Sequence, residues 1–201
     1  MTAPAGVPAF DPLEELFVAQ FRKPPGLMAI NLRVLSPFQR ALLVIDGTVT
    51  KFIEAYAMEP VDVSLLSQEV RTTAADDEWL ELPAGAPVIA REVALRGRYR
   101  HQVYAYAPSL LVLDRLPQQV REALSTNPGG LGRILLQTGL ESRREVLWYG
   151  RERLAEVPAG VEGLRPGYFI SRTYRIIAGG RPVMLINEKF PTGVDPLPSP
   201  D

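Results

Sequence analysis

The chain has 201 residues, 46% of them hydrophobic, with 22 Lys and Arg against 23 Asp and Glu. That length and composition fit one globular domain with a substantial core, and the even charge balance argues against a surface built for nucleic acid. Cysteine is absent and histidine occurs once, at His101. This excludes disulfides, thiolate catalysis and zinc–thiolate sites, and makes a His metal cluster or a Ser-His-Asp triad very hard to build, so carboxylates, Arg, Lys, Tyr and backbone groups must carry any chemistry.

The opening "MTAPAGVPAF" has no basic stretch followed by an apolar one, so it is not a secretory signal. No apolar run approaches the roughly 18 residues of a membrane span. A soluble, cytoplasmic protein is the expectation. Residues 1–10 are Ala/Pro-rich and expected to be poorly ordered, a single domain is expected over 11–191, and 192–201 form a Pro-rich, loose tail.

In "DPLEELFVAQF" Asp11 reads as an N-cap, Pro12 as the first helical residue and Glu14 as its capping-box partner, with "RKPPG" as the stop. "SPFQRALLVIDG" repeats the signal with Ser36, Pro37 and Gln39 and closes at Gly47, and the amphipathic "TVTKFIEAYA" follows. From about Val61 the texture changes. "VDVSLLSQEV", "PVIAREVALRG", "VYAYAPSLLVL", "SRREVLWYGRERL", "YFISRTYRIIA" and "PVMLINEKF" read as about six strands punctuated by Gly and Pro. "GRYRHQ" and "AGGRP" read as hairpin turns, while "LPQQVREALS" and "GGLGRILLQTGL" read as inserted helices. The order predicts an α+β single domain with an antiparallel sheet. "NPGGLG" lacks the spacing and the Lys of a phosphate loop and reads as a turn entering a helix.

Two charges fall on the wrong face. Strand alternation places Arg91 with Ile89, Val93 and Leu95, and Glu188 with Met184, Ile186 and Phe190. One reading is a buried ion pair that contributes little net stability; another is a bulge that turns either side chain to solvent. The functional reading is a lined cavity, in which Arg offers a fork to a carboxylate and Glu, in an apolar wall, works as an acid or base. Arg172 and Arg175 lie on opposite strand faces, so at most one looks inward; Lys51 and Arg133 read by default as solvated, and His101 as a surface turn residue.

"SRTYRIIAGGRPVMLINEKFP", together with "AREVALRG", "SLLVLDRLP", "GGLGR" and "DGTVTK", resembles the chorismate lyase (chorismate pyruvate-lyase) family, most closely its divergent actinobacterial and cyanobacterial-type branch, over about residues 36–191. The resemblance implies a six-stranded antiparallel sheet with helical flaps over an internal ligand cavity, and no metal or organic cofactor. It implies a carbon–oxygen lyase that converts chorismate to 4-hydroxybenzoate and pyruvate, for quinone headgroup biosynthesis and, in the cyanobacterial case, plastoquinone. By motif, "IAREVAL" places the essential Arg at Arg91 and "NEKF" the essential Glu at Glu188, with Leu131 in "GGLGR" and Val49 in "GTVTK" as substrate contacts; the family's Met is Val49 here. Arg91 is expected to grip a carboxylate and stabilise the departing enolpyruvate. Glu188 is expected either to protonate the leaving group, its neutral form favoured by Met184, Ile186 and Phe190, or to relay the proton lost from the ring. The alternative is a non-catalytic binding module of the same fold, like the ligand-sensing domain of GntR-type regulators. Only about 35 residues precede the matched region and they are not basic, so the expected partners are small molecules, with no nucleic acid and no membrane span.

Overall fold

Ser36 starts the first α-helix, α1 (Pro37–Val44), with a reciprocal capping box: its hydroxyl accepts from the Gln39 amide at 3.2 Å, and Gln39 Oε1 accepts from the Ser36 amide at 2.9 Å. The box satisfies two amides that a helix start otherwise leaves orphaned. α2 (Val49–Ala57) follows and buries Val49, Ile53 and Ala57, the i, i+4, i+8 stripe of an amphipathic helix. The structure, a computed structural model, describes residues 11–13, 15–126, 130–158, 161 and 163–193. The expected loose ends, 1–10 and most of 192–201, lie outside them, as does Glu14.

The helix expected from Asp11 onward does not form. Asp11 makes only a local turn, its carboxylate accepting from the Leu13 amide at 2.8 Å. The chain then runs in turns to a short 3-10 turn at Gln20–Arg22. The amides of Val18 and Ala19 donate to the carbonyls of Val146 and Leu147, each at 3.0 Å. Covering the edge of a strand that would otherwise expose its ladder outweighs the local helix signal, and the same path buries Leu13, Phe17 and Ala19.

The strands are β1 (Val61–Thr72), β2 (Pro87–Gly97), β3 (Val103–Leu111), β4 (Ser142–Leu154), β5 (Gly167–Ala178) and β6 (Arg181–Pro191), with α3 (Gln118–Thr126) and α4 (Leu131–Gln137) inserted between β3 and β4. They form one sheet in the order β1-β2-β3-β6-β5-β4, every neighbouring pair antiparallel. The β5–β6 hairpin turns through Gly179 and Gly180, whose φ of 56° and 76° are the left-handed values such a turn needs. This is the α+β, antiparallel architecture expected from the sequence.

The helices cover one face of the sheet. α1 and α2 pack Leu42, Leu43 and Ile53 against Val93, Leu95 and Phe190. α3 and α4 pack Val120, Leu124 and Ile134 against Tyr174, Met184 and Ile186. On the opposite face Ala94, Tyr106 and Phe169 meet Val161 and Leu164. The register shifts each insert one residue, Leu66 in β1, Tyr104 in β3, Leu147 in β4 and Val183 in β6. β2 carries none, and β6 is regular from Met184 onward. Arg91 and Glu188 therefore keep the inward direction that strict alternation gives them.

Candidate active site

A cavity lies between the helix-covered face of the sheet and the starts of α2 and α4. Its roof comes from Gly47–Thr50 and from Gly130–Gly132 with Leu135. The two roof segments touch: a Cβ on Gly132 would lie 3.2 Å from Thr48 Cγ2, so glycine there lets α4 approach α2 closely. The floor is the sheet, with Arg91 from β2, Ser109 from β3, Ile186 and Glu188 from β6, Tyr174 from β5 and Arg144 from β4. Register explains the convergence, since Arg91 pairs with Ser109, Ser109 with Ile186, Ile186 with Tyr174 and Arg144 with Ile176, which brings all their side chains to one face.

Arg91 is 2% exposed, and its Nε and Nη2 have no hydrogen-bond partner. Burial pulls its pKa down from the ordinary guanidinium value to about 10, so it is still a cation at neutral pH. It does not pair with Glu188. The carboxylate of Glu188 instead accepts from Arg172 Nε at 2.7 Å and from the Tyr174 hydroxyl at 3.1 Å. Arg172 is 1% exposed and ties this pair to the end of α1, its Nη1 donating to the carbonyls of Ile45 at 2.8 Å and Leu43 at 3.4 Å. A cation at these terminal carbonyls is favoured by the helix dipole. Burial, then the Glu188 charge, push the Tyr174 hydroxyl well above its ordinary pKa, so it remains a donor.

Every site residue read from the sequence, Arg91, Glu188, Val49 and Leu131, lines this one cavity. The buried ion pair foreseen as an alternative exists, but it joins Glu188 to Arg172. The apolar neighbours of Glu188 are only half of its surroundings, because its cross-strand partner is Arg172. Arg172 is the inward member of the Arg172/Arg175 pair; Arg175 bonds Glu145 at 2.5 Å on the other face. Lys51 points outward to Glu54 at 2.6 Å. Sequence reasoning missed Tyr174 and Arg144. Tyr174 could have been found as the inward neighbour of Arg172 two residues along β5. Arg144 shares a face with Val146, but the inserted Leu147 puts Trp148 on the opposite face, so the pattern of β4 gives no clear alternation.

Among the described residues no group of three or more His, Cys, Asp or Glu is placed to hold a metal ion. Nor is any helix long and apolar enough to cross a membrane.

Chorismate pyruvate-lyase of Mycobacterium leprae is 29% identical over 162 residues, covering 80% of this chain and 77% of that protein. Chorismate pyruvate-lyase of Mycobacterium tuberculosis is 27% identical over 170 residues, covering 80% and 82%. Among solved structures, PhnF from Mycobacterium smegmatis superposes with a TM-score of 0.52 at 16% identity, covering 73% of this chain and 64% of that one, a likeness of fold alone. The family model described as "Chorismate pyruvate-lyase Rv2949c-like" matches residues 43–196. That span takes in every element from α2 to β6, hence both the floor and the roof of the cavity, and the chain belongs to the Rv2949c-like chorismate pyruvate-lyase family.

Proposed function

We propose that this protein is an active chorismate pyruvate-lyase that releases 4-hydroxybenzoate and pyruvate without hydrolysis. The observation that carries the reading is Arg91, a buried guanidinium with two unpaired nitrogens on an apolar cavity that Glu188 also lines. Such a group is costly to bury unless an anion completes it. A ring carboxylate fits the fork, and Val93, Leu95 and Ile186 provide the apolar wall for the ring.

In the reaction the ether C–O bond breaks, its electron pair leaving on the enolpyruvate oxygen. The ring loses the proton from the hydroxyl-bearing carbon and becomes aromatic, and enolpyruvate takes a proton on its methylene carbon to become pyruvate. No water is consumed. Arg172 and Tyr174 both aim donors at Glu188, so its oxygens act as acceptors, the arrangement suited to taking the ring proton. Val49, Leu131 and Leu135 in the roof give the leaving group apolar cover against competing water.

Purified protein incubated with chorismate is expected to yield 4-hydroxybenzoate and pyruvate in equal amounts, measured by chromatography and a coupled pyruvate assay. Glu188→Gln should bind 4-hydroxybenzoate within a few-fold of wild type yet lose about 10²- to 10⁴-fold in kcat. Undiminished turnover in that variant removes Glu188 from the mechanism. Wild-type protein that binds 4-hydroxybenzoate but forms no product would instead be a binding module of this fold.

A further inference from the structure

Glu188 is paired with Arg172, which leaves the cavity with Arg91 and a second cation, Arg144, that has no part in the proposed chemistry. Arg144 Nε is buried and has no hydrogen-bond partner. Its ion-pair contact is Nη1 at 3.7 Å from Asp46, whose side chain is 79% exposed, a pairing worth little in solvent. The guanidinium carbon lies 5.7 Å from the centre of the Tyr174 ring, within cation–π range, which steadies the fork in the cavity wall.

The two guanidiniums, each with a buried nitrogen that lacks a partner, rise from opposite sides of the sheet floor. Arg91 is on β2 and Arg144 on β4, with β3, β6 and β5 between them. At roughly 4.8 Å per strand their backbones are about 19 Å apart on a flat sheet, and long side chains reach inward from both sides. One compact carboxylate does not need two such forks, whereas a molecule with an anionic group at each end does. Arg91 is the deeper of the two, and the Arg144 side chain, 22% exposed, stands nearer solvent beside the α1–α2 connection.

We propose that Arg144 binds the second carboxylate of the substrate, the one on the three-carbon side chain, and so selects dianions over monoanions. The inference rests on the lyase reading for the identity of that carboxylate, but not for the selectivity. It also gives release a direction. Cleavage separates the carboxylate held by Arg144 from the ring held by Arg91, so each product keeps one anchor where the substrate had two, and the side chain leaves from the more open end.

The test uses calorimetric titration with two unreactive ligands, the diacid 3-(carboxymethoxy)benzoate and the monoacid 4-hydroxybenzoate. Wild type should prefer the diacid. Arg144→Gln should weaken the diacid about 10- to 100-fold while changing the monoacid less than about threefold. Arg144→Lys, which keeps the charge without the fork, should fall between them and shows that loss in the Gln variant is not misfolding. With chorismate, Arg144→Gln should raise KM by the diacid factor and change kcat less. Equal weakening of both ligands, or of neither, overturns the proposal. Preserved diacid preference in wild type without chorismate turnover sinks the lyase reading and leaves this one standing; turnover with an unchanged KM in Arg144→Gln does the reverse.

Discussion

Arg91 carries the energetic cost of the proposed binding site. A guanidinium 2% exposed with two nitrogens that no protein group accepts from is destabilising in the ligand-free protein, since no protein acceptor replaces the hydration it loses on burial. Arg91→Met keeps the length and removes the charge, so it is expected to raise ligand-free stability in urea by about 1–4 kcal/mol while abolishing carboxylate binding; a destabilised Met variant would mean that Arg91 is a structural charge. The pH dependence has a definite sign. Because its folded pKa is lowered to about 10, below the value of an exposed guanidinium, the destabilising charge is present in full below about 10 and is relieved as pH rises above it. Carboxylate binding is expected to run the other way, steady through neutral pH and lost above about 10. Arg91 and Glu188 were legible in the sequence because their stretches of strand contain no inserted residue, so period two alone gives the direction of each side chain. Arg144 was not, because one inserted residue, Leu147, breaks the alternation of β4, and the pairing of Glu188 with Arg172 depends on a register between β5 and β6 that no single strand reveals.

Between elements, the joint that fixes the helices against the sheet is Glu59, 5% exposed at the corner where α2 turns into β1. Its carboxylate accepts from the Tyr104 hydroxyl at 2.6 Å and from the amides of Tyr99 and Arg100 at 2.9 and 3.1 Å, so one acid closes the β2–β3 hairpin and ties it to α2. Burial opposes its ionisation, but the Tyr104 and backbone bonds outweigh that and hold its pKa below the ordinary value, while burial and Glu59 together push Tyr104 up to about 12. A lowered carboxylate pKa contributes stability above the unfolded value and loses it as pH falls through the folded one. Glu59→Gln, which offers one acceptor oxygen in place of two, is therefore expected to cost about 1–3 kcal/mol at neutral pH and to flatten the fall in stability below about pH 4.5; urea midpoints measured from pH 3 to 7 check both, and an unchanged acid slope would show that Glu59 is not the group responsible. The elements themselves were largely readable, α1 from its capping box and the β5–β6 hairpin from its paired glycines, since each is specified within a few residues. The failed helix after Asp11 had an equally good local signal. Its backbone found partners in β4 more than a hundred residues away, and local signals carry no information about such a competitor.

At the scale of the whole molecule, the sheet is the rigid part and the roof is the part that a ligand has to organise. β5 and β6 sit inside the sheet with Arg172, Glu188 and Tyr174 bonded together, whereas the roof rests on two short helices. Thr48 makes no side-chain cap to α2, and α4 spans only Leu131–Gln137, a length that is marginal on its own. Because the cavity holds one unpaired cation, Arg91, and a second, Arg144, paired only weakly with an exposed Asp46, an anionic ligand would act as a missing piece of the core, and its binding energy would appear as stability. At 100 times its Kd a ligand adds about 2.7 kcal/mol, which for a domain of this size corresponds to a rise of about 5–10 °C in Tm. The gain should be unevenly distributed: with 4-hydroxybenzoate bound, amide hydrogen exchange is expected to slow in α2 and α4, where opening is local, and to change little in the centres of β5 and β6, which open only with global unfolding. Exchange that slows equally along all six strands while the roof is unchanged would place the ligand outside this cavity, and the groove on the opposite face of the sheet, between Trp148 and Asn187, would then be the place to look.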